Sequence, residues 1–567
     1  MEERARRAVG SVATFALGVV LAGCVSTAGL DQGQQARVET ATVDRPIRMA
    51  LTNEPGAIAG QFVRLAGAGE YGDLFAARLV REDYLGEPAP QLVSEIPSLE
   101  GGTWRILDDG RMETTYRLRP GAVWHDGQPL TPADVIFTWQ TILRPDLPAT
   151  TRDPEQNIES IEASGPNTLL VRWKRVYIVA NAWPLQPLPR HILEPLLERD
   201  AQAFLNSDYW RTAWVGLGPF QVADWVPGSF IKGRAFPQYV LGAPKVSEVV
   251  VYFIADANQA IARALAGDID LTLGSLIKVE EGVSLKEQLE ARGEGTVLTA
   301  PAAIRSGEFQ FRQPQQPPAR DVRVRRGLVH AVDRQQLSDT LYFGLNKPAD
   351  IFLSPLDGAF PSIDRAITRY PHDPNQALRL FADAGWTRGA DGTLQNASGE
   401  RFRLGVRSSD DSANVKEAQV LAQFWKTVGV EPELEFYGPV QQNDREYRAL
   451  YPGFALGSPG TDILQTQNYL STNIATEATR WSGSNRGAYV NPDIDGLINE
   501  YFVTIDAVRR VNLLVDYFRI VTSDVPGFPL YYRVDVYGVR TGLKGVAPTK
   551  PGEAWTTANA HLLYWDR

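Results

Sequence analysis

"YRLRPGAVWHDGQPLTPADVIFTWQTIL", residues 116–143, holds a strand, two turns and a capped helix in unbroken succession. Tyr116 and Leu118 alternate with Arg117 and Arg119, the two-residue period of a half-buried strand. Pro120-Gly121 turns the chain, and Asp126-Gly127 is a tight-turn pair, since glycine accepts the positive φ that such turns demand. Thr131 then stands as an N-cap, with Pro132 at the first helical position and Asp134 at the third, an arrangement that satisfies backbone N–H groups left open at a helix start. Val135, Trp139 and Ile142 share one face of that helix. His125 beside Asp126 suggests acid/base chemistry by residue type, yet it sits at a turn without a nucleophile or metal-ligand partner.

From "PIRMALTNEP" (46–55) onward the same alternation of short strands and capped helices continues, the pattern of an α/β protein. "DPNQALRLFADAGW" (373–386) has Asp373 as N-cap, Pro374 opening the helix and Gln376 closing a capping box. Ala377, Leu380 and Phe381 form its buried stripe, and Gly385 ends it. Asp333 and Gln336 repeat the device in "DVRVRRGLVHAVDRQQL" (321–337). Five further segments run in order with these: "GLGPFQVADWVPG" (216–228), "APKVSEVVVYFIADANQAIARALAGDIDL" (243–271), "LAQFWKTVGVEPEL" (421–434), "NPDIDGLINE" (491–500) and "DVPGFPLYY" (524–532). Together with residues 116–143 they resemble the extracellular solute-binding proteins of family 5, the peptide/nickel-type receptors of ABC importers. That resemblance implies a two-lobed, α/β, type II periplasmic-binding-protein-like fold of the large peptide-receptor class, with an extra subdomain in lobe one. Lobe one is then expected at 45–298 plus 525–567, its extra subdomain at about 76–195, and lobe two at 299–524. The crossings fall near "TVLTAPAAIR" (296–305) and "SDVPGFPLYY" (523–532).

The single cysteine of the chain, Cys24, lies in "GVVLAGCVSTAG" (18–29). A basic head (Arg4, Arg6, Arg7) and an uncharged stretch over 8–21 precede it, shorter than the roughly 20 apolar residues of a membrane span and arranged like a secretory signal. "LAGC" resembles a bacterial lipobox, whose cysteine carries the lipid. The expectation is a signal peptide at 1–23 and a lipid-anchored flexible tether at 24–44, with the protein exported to face the periplasm or cell exterior. A net charge of −10 over 567 residues argues against nucleic acid and against a basic membrane-binding patch.

The resemblance further implies the substrate-binding component of an ABC import system, a monomer that captures a peptide or other small polar solute. It would deliver that solute to a membrane permease and, through it, to a cytoplasmic ATPase. In peptide receptors of this family a Trp-x-x-Asp segment holds the peptide, its aspartate pairing with the α-ammonium. Here "GFALGSPGTDIL" (453–464) puts Phe454 at the aromatic position but Gly457 or Ser458 at that of the aspartate, so recognition of a free peptide N-terminus is in question. Asp462 is either the substitute or a cap. Arg407 is a carboxylate-binding candidate or a strand-end surface residue. Trp481 and Asn485, with Arg486, are candidates for stacking and hydrogen bonding, and Asn53 and Glu54 end the first strand where lobe-one contacts are expected. The five histidines are scattered with no H-x3-H pair, so no metal site and no cofactor are expected. "LGSPG" (456–460) lacks the first glycine of a nucleophile elbow, and no H-E-x-x-H, Walker A or dinucleotide fingerprint occurs, so no enzyme is expected. The alternatives are a sensing or chaperone-like receptor of the same fold without transport, or a secreted hydrolase.

Overall fold

The computed structural model describes residues 45–566 apart from 60, 63–67, 84–86, 150–151, 153, 313–316, 462 and 548–556. Cys24, the expected leader and tether, and Asp462 lie outside the described residues. No helix among the described residues is long and apolar enough to cross a membrane.

Ten strands build the main sheet: β1 (Ile47–Leu51), β2 (Phe220–Val226), β3 (Phe230–Ala235), β4 (Glu248–Phe253), β5 (Leu271–Thr272), β6 (Gly295–Phe309), β7 (Arg403–Ser409), β8 (Glu431–Tyr437), β9 (Phe454–Gly457) and β10 (Gly527–Arg540). Their spatial order is β8-β7-β9-β6-β10-β5-β1-β4-β3-β2. The long strands β6 and β10 lie antiparallel from Gly295↔Arg540 to Glu308↔Gly527. β5 joins β10 at Val539, near one end of the pair, whereas β9 joins β6 over Ser306–Phe309, at the other. The sheet therefore has two halves gripping opposite ends of one two-stranded ribbon. That ribbon shifts register between Pro301 and Ala303 and again between Arg305 and Ser306. Pro301 has no N–H to give to a ladder, which suits a bulge.

A second sheet (Trp104–Ile106, Met112–Arg117, Thr168–Trp173, Ile158–Gly165, in that order) packs with the first half. One apolar core runs through both, from Ile47 and Val251 to Trp173, Leu217, Tyr537 and Trp565. The helix expected after Thr131 spans Pro132–Leu143, with Val135 and Ile142 buried. The Asp134 carboxylate accepts from Thr131 N (2.9 Å), from Thr131 Oγ1 (2.8 Å) and from the distant Arg190 N (3.0 Å). His125 fastens two motifs together. Its Nδ1 accepts from Gly216 N (3.1 Å) and its Nε2 donates to Gly218 O (3.0 Å), while burial pushes its pKa down to about 4, which keeps the ring neutral. A Cβ at Gly216 or Gly218 would come within 2.1 or 2.3 Å of the Phe75 backbone, which is why "GLGP" needs glycine at both places.

Two expectations are corrected. Asp373 does cap the helix Pro374–Asp383, accepting from Gln376 N at 2.8 Å, but Gln376 closes no box. The Asp373 N–H already donates to His330 O (2.9 Å), and Gln376 Oε1 accepts from Arg379 instead (3.0 and 2.7 Å). Phe454, expected to face ligand, is fully buried. Its ring centroid lies 5.0 Å from Phe309, 5.4 Å from Trp425 and 5.4 Å from Phe528. On β9 the exposure pattern alternates, and Phe454 falls on the inward register.

Phe454→Ala is expected to cost about 3–5 kcal/mol by opening a cavity. Gly307→Ala, whose Cβ would sit 1.9 Å from Phe454 Cζ, is expected to cost roughly 1–3 kcal/mol by overpacking. Urea unfolding measures both, and near-neutral values for the pair would contradict this packing.

Candidate functional site

β7 runs parallel to both β8 and β9, so the three strands present their carboxyl ends on one side. A crevice outside the carboxyl ends of parallel strands is the general ligand position of open α/β sheets. A cavity of about 620 Å³ opens there, bordered by the last residues of the three strands, Ser409, Tyr437 and Gly457, and closed on one side by Arg305, Ser306 and Glu308 of β6. The ordinary alternation of a strand would turn Arg305 and Ser306 to opposite faces. The register shift between them lets both border the cavity.

Four guanidinium groups border it: Arg305, Arg407, Arg448 and Arg486. Two are already neutralised. Arg305, nearly fully buried, donates from Nε to Glu417 Oε1 at 2.6 Å, and the other oxygen of Glu417 accepts from the Tyr531 hydroxyl of β10. Arg407 donates to Glu435 Oε2 (3.0 Å) and Tyr447 O (2.5 Å), and lies 4.0 Å over the Tyr447 ring. Tyr447 in turn donates to Glu435 Oε1 at 2.6 Å, closing a compact triad. The side chains of Arg448 and Arg486 make no ion pair or hydrogen bond among the described residues. Burial, reinforced by the neighbouring Arg486, lowers the pKa of Arg448. Among the described residues Glu308 carries the one cavity-lining carboxylate. Burial raises its pKa to about 7 despite the opposing pull of Arg486. Behind it Gln465, Asn468 and Tyr469 line a narrow recess, and the buried Tyr469 hydroxyl has no hydrogen-bond partner among the described residues.

Of the residues singled out from sequence, Arg407, Ser458 and Gly457 border this cavity, as does Arg486. Ser458 Oγ lies 3.5 Å from Arg305 Nη1. Asn485 is buried elsewhere. Its Nδ2 donates to Leu470 O (3.1 Å) and Tyr489 O (2.8 Å) and its Oδ1 accepts from Tyr489 N (3.0 Å), so it holds a loop together with both of its donors committed to backbone. Trp481 takes a positive φ of 56° and sits under Arg312, 5.9 Å from ring centroid to guanidinium, off the cavity wall. Asn53 is exposed at the turn after β1. Glu54 is committed to its own half, accepting from Trp225 Nε1 (2.8 Å), Arg211 Nη2 (3.1 Å) and Gly228 N (2.7 Å). Glu308, Arg305 and Arg448 were missed. Glu308 had one signal, a lone acid within the apolar run "GEFQF" (307–311). Arg448 had none, because "REYRAL" (445–450) has the composition of a solvated helix.

The profile of the bacterial extracellular solute-binding proteins, family 5 middle, matches residues 94–479. Protein XP55 of Streptomyces lividans is 26% identical over 568 residues, covering 96% of this chain and 95% of its own. The oligopeptide-binding protein AppA of Bacillus subtilis is 25% identical over 450 residues, 77% of this chain and 78% of that protein. The crystal structure of the oligopeptide-binding protein of Thermus thermophilus with a pentapeptide superposes with a TM-score of 0.70 at 24% identity, covering 92% of this chain and 96% of that one. The fold is the two-lobed, mixed α/β, type II periplasmic-binding-protein fold. With more than half of its length matched to the profile, and with the strand, turn and capped helix of residues 116–143 inside that match, the chain belongs to the family 5 extracellular solute-binding proteins.

Proposed function

We propose that this protein is the solute-capturing component of an ABC importer, closing two lobes on a peptide or another small polar solute and releasing it unchanged to a membrane permease. The observation that carries this reading is the cavity at the carboxyl ends of β7, β8 and β9, walled by a strand that continues into the other half of the sheet. Lobe one is taken as 45–298 plus 525–567, with an extra subdomain at about 76–195, and lobe two as 299–524. On that division every residue bordering the cavity belongs to lobe two, and lobe one supplies the closing face. Lys278–Asp411 (3.7 Å) and Lys416–Glu280 (3.9 Å) cross between the lobes. Both are exposed and so contribute little to holding the lobes together, which suits a hinge whose balance a ligand can shift. Relatives named as oligopeptide-binding proteins favour peptides. The chain acts as a monomeric binder without chemistry of its own, and Cys24 carries a lipid that tethers it to the bacterial membrane through residues 24–44.

A solute that binds only the folded protein stabilises it by about 2.7 kcal/mol at a hundredfold excess over Kd. A filtered cell extract, which holds peptides beside other small polar solutes, is therefore expected to raise the Tm, and the bound component should be recovered chemically intact. Its conversion to product by the pure protein would overturn the reading. For the anchor, Cys24→Ala is expected to move the protein from the membrane to the soluble fraction or to block its processing. Unchanged fractionation together with an unchanged N-terminal mass would contradict lipid attachment.

A further inference from the structure

The charge on the cavity wall is unbalanced. Glu417 neutralises Arg305 and Glu435 neutralises Arg407, but Arg448 and Arg486 have no carboxylate within ion-pairing distance among the described residues. Arg486 lies close enough to Arg448 to disfavour its charge. A partly desolvated guanidinium without a partner is costly, and two sharing one wall define a site that an anion would relieve. The planar fork of arginine is also the side chain best matched to a carboxylate. Resting on the solute-receptor reading above, we propose that this cavity selects dianionic, carboxylate-bearing solutes over peptides with a free α-ammonium, with Arg448 and Arg486 as the clamp for the anion.

Glu308 is the group on which the alternative turns, because an ionised Glu308 would be the natural partner of an ammonium. It stands on β6 opposite Ala455 of β9 and Gly527 of β10, neither of them titratable. The titratable groups that act on it are Arg486 and three buried tyrosines, Tyr451, Tyr469 and Tyr517, all kept neutral by desolvation. With its pKa near 7, Glu308 is half protonated at neutral pH and can then donate a hydrogen bond to an anion. A bound anion raises that pKa further, so binding takes up a proton and tightens as pH falls through 7. A bound ammonium would lower it, release a proton and weaken binding over the same range. The two ligand classes thus predict opposite signs.

Calorimetry of the full mature chain with N-acetyl-glycyl-glutamate, a dianion between pH 6 and 8, and with triglycine, a zwitterion up to about pH 7, separates them. N-acetyl-glycyl-glutamate is expected to bind at least about tenfold more tightly than triglycine, and more tightly at pH 6 than at pH 8. Arg448→Gln and Arg486→Gln should each weaken it about tenfold or more, and Arg448→Lys and Arg486→Lys should recover part of the loss, with the ligand-free Tm of every variant reporting its folding. Glu308→Gln should bring the affinity at pH 8 up to that at pH 6. Tighter binding of triglycine that weakens from pH 7 to pH 6 and is lost in Glu308→Gln would overturn the proposal and make Glu308 an ammonium site. Stabilisation by a casein hydrolysate but not by N-acetyl-glycyl-glutamate would overturn the ligand class and leave the receptor reading standing. No stabilisation by either, nor by the cell extract, would overturn both.

Discussion

The antiparallel pairing of β6 and β10 is the constraint on which the rest of the structure depends. It is the ribbon that both halves of the sheet share, so whatever bends it moves one half of the sheet against the other. Its irregularities sit where each is useful. Around Pro301–Ala303 the ladder loses its register, which allows the backbone to change direction without breaking a regular sheet. At Arg305–Ser306 the second shift turns consecutive residues toward the cavity. The bonding that holds the two strands together thereby also forms a wall of the site.

The Arg305–Glu417 pair ties that ribbon to the half of the sheet that borders the cavity. Arg305 belongs to β6, Tyr531 to β10, and Glu417 to the helix Ser412–Thr427 that flanks the cavity. A fully buried ion pair is a poor source of net stability, because the desolvation of two ions offsets most of their attraction. It is an effective constraint on geometry, since removing either partner strands the other charge in the interior. The ribbon is thus tied to that half by charge, while the exposed pairs Lys278–Asp411 and Lys416–Glu280 hold only weakly. Arg407 with Glu435 and Tyr447 has the same self-satisfied character. Both arginines are structural members of the wall, which leaves Arg448, Arg486 and Glu308 as the groups a solute would answer.

The fold was legible wherever a short stretch decides its own structure. Thr131, Pro132 and Asp134 announced a helix start, and the structure starts a helix there. Asp373 and Gly385 bracketed a second, and the seven ordered segments placed the chain in its family. The Gln376 box failed because the Asp373 N–H is taken by His330, more than forty residues away, a partner that no local pattern reveals. The site was legible only in part, and for the same reason. Gly457, Ser458 and Arg407 followed from the resemblance, but a resemblance transfers positions without their orientation. Phe454 was in the right strand with its ring in the core, and Asn485 was beside a cavity residue with its amide spent on backbone. Glu308, Arg448 and Arg486 come from three separated segments, and their joint charge exists only once the chain has folded.

The central claim is that the protein carries an unmodified solute in this cavity. It is tested most directly by incubating the mature chain with a cell extract, re-isolating it by gel filtration, denaturing it and identifying what is released by mass spectrometry. The account predicts near-stoichiometric release of one class of small molecule present unaltered in the extract, and its loss when Arg486→Gln is treated in the same way. An empty wild-type protein, or equal release from both chains, would contradict it.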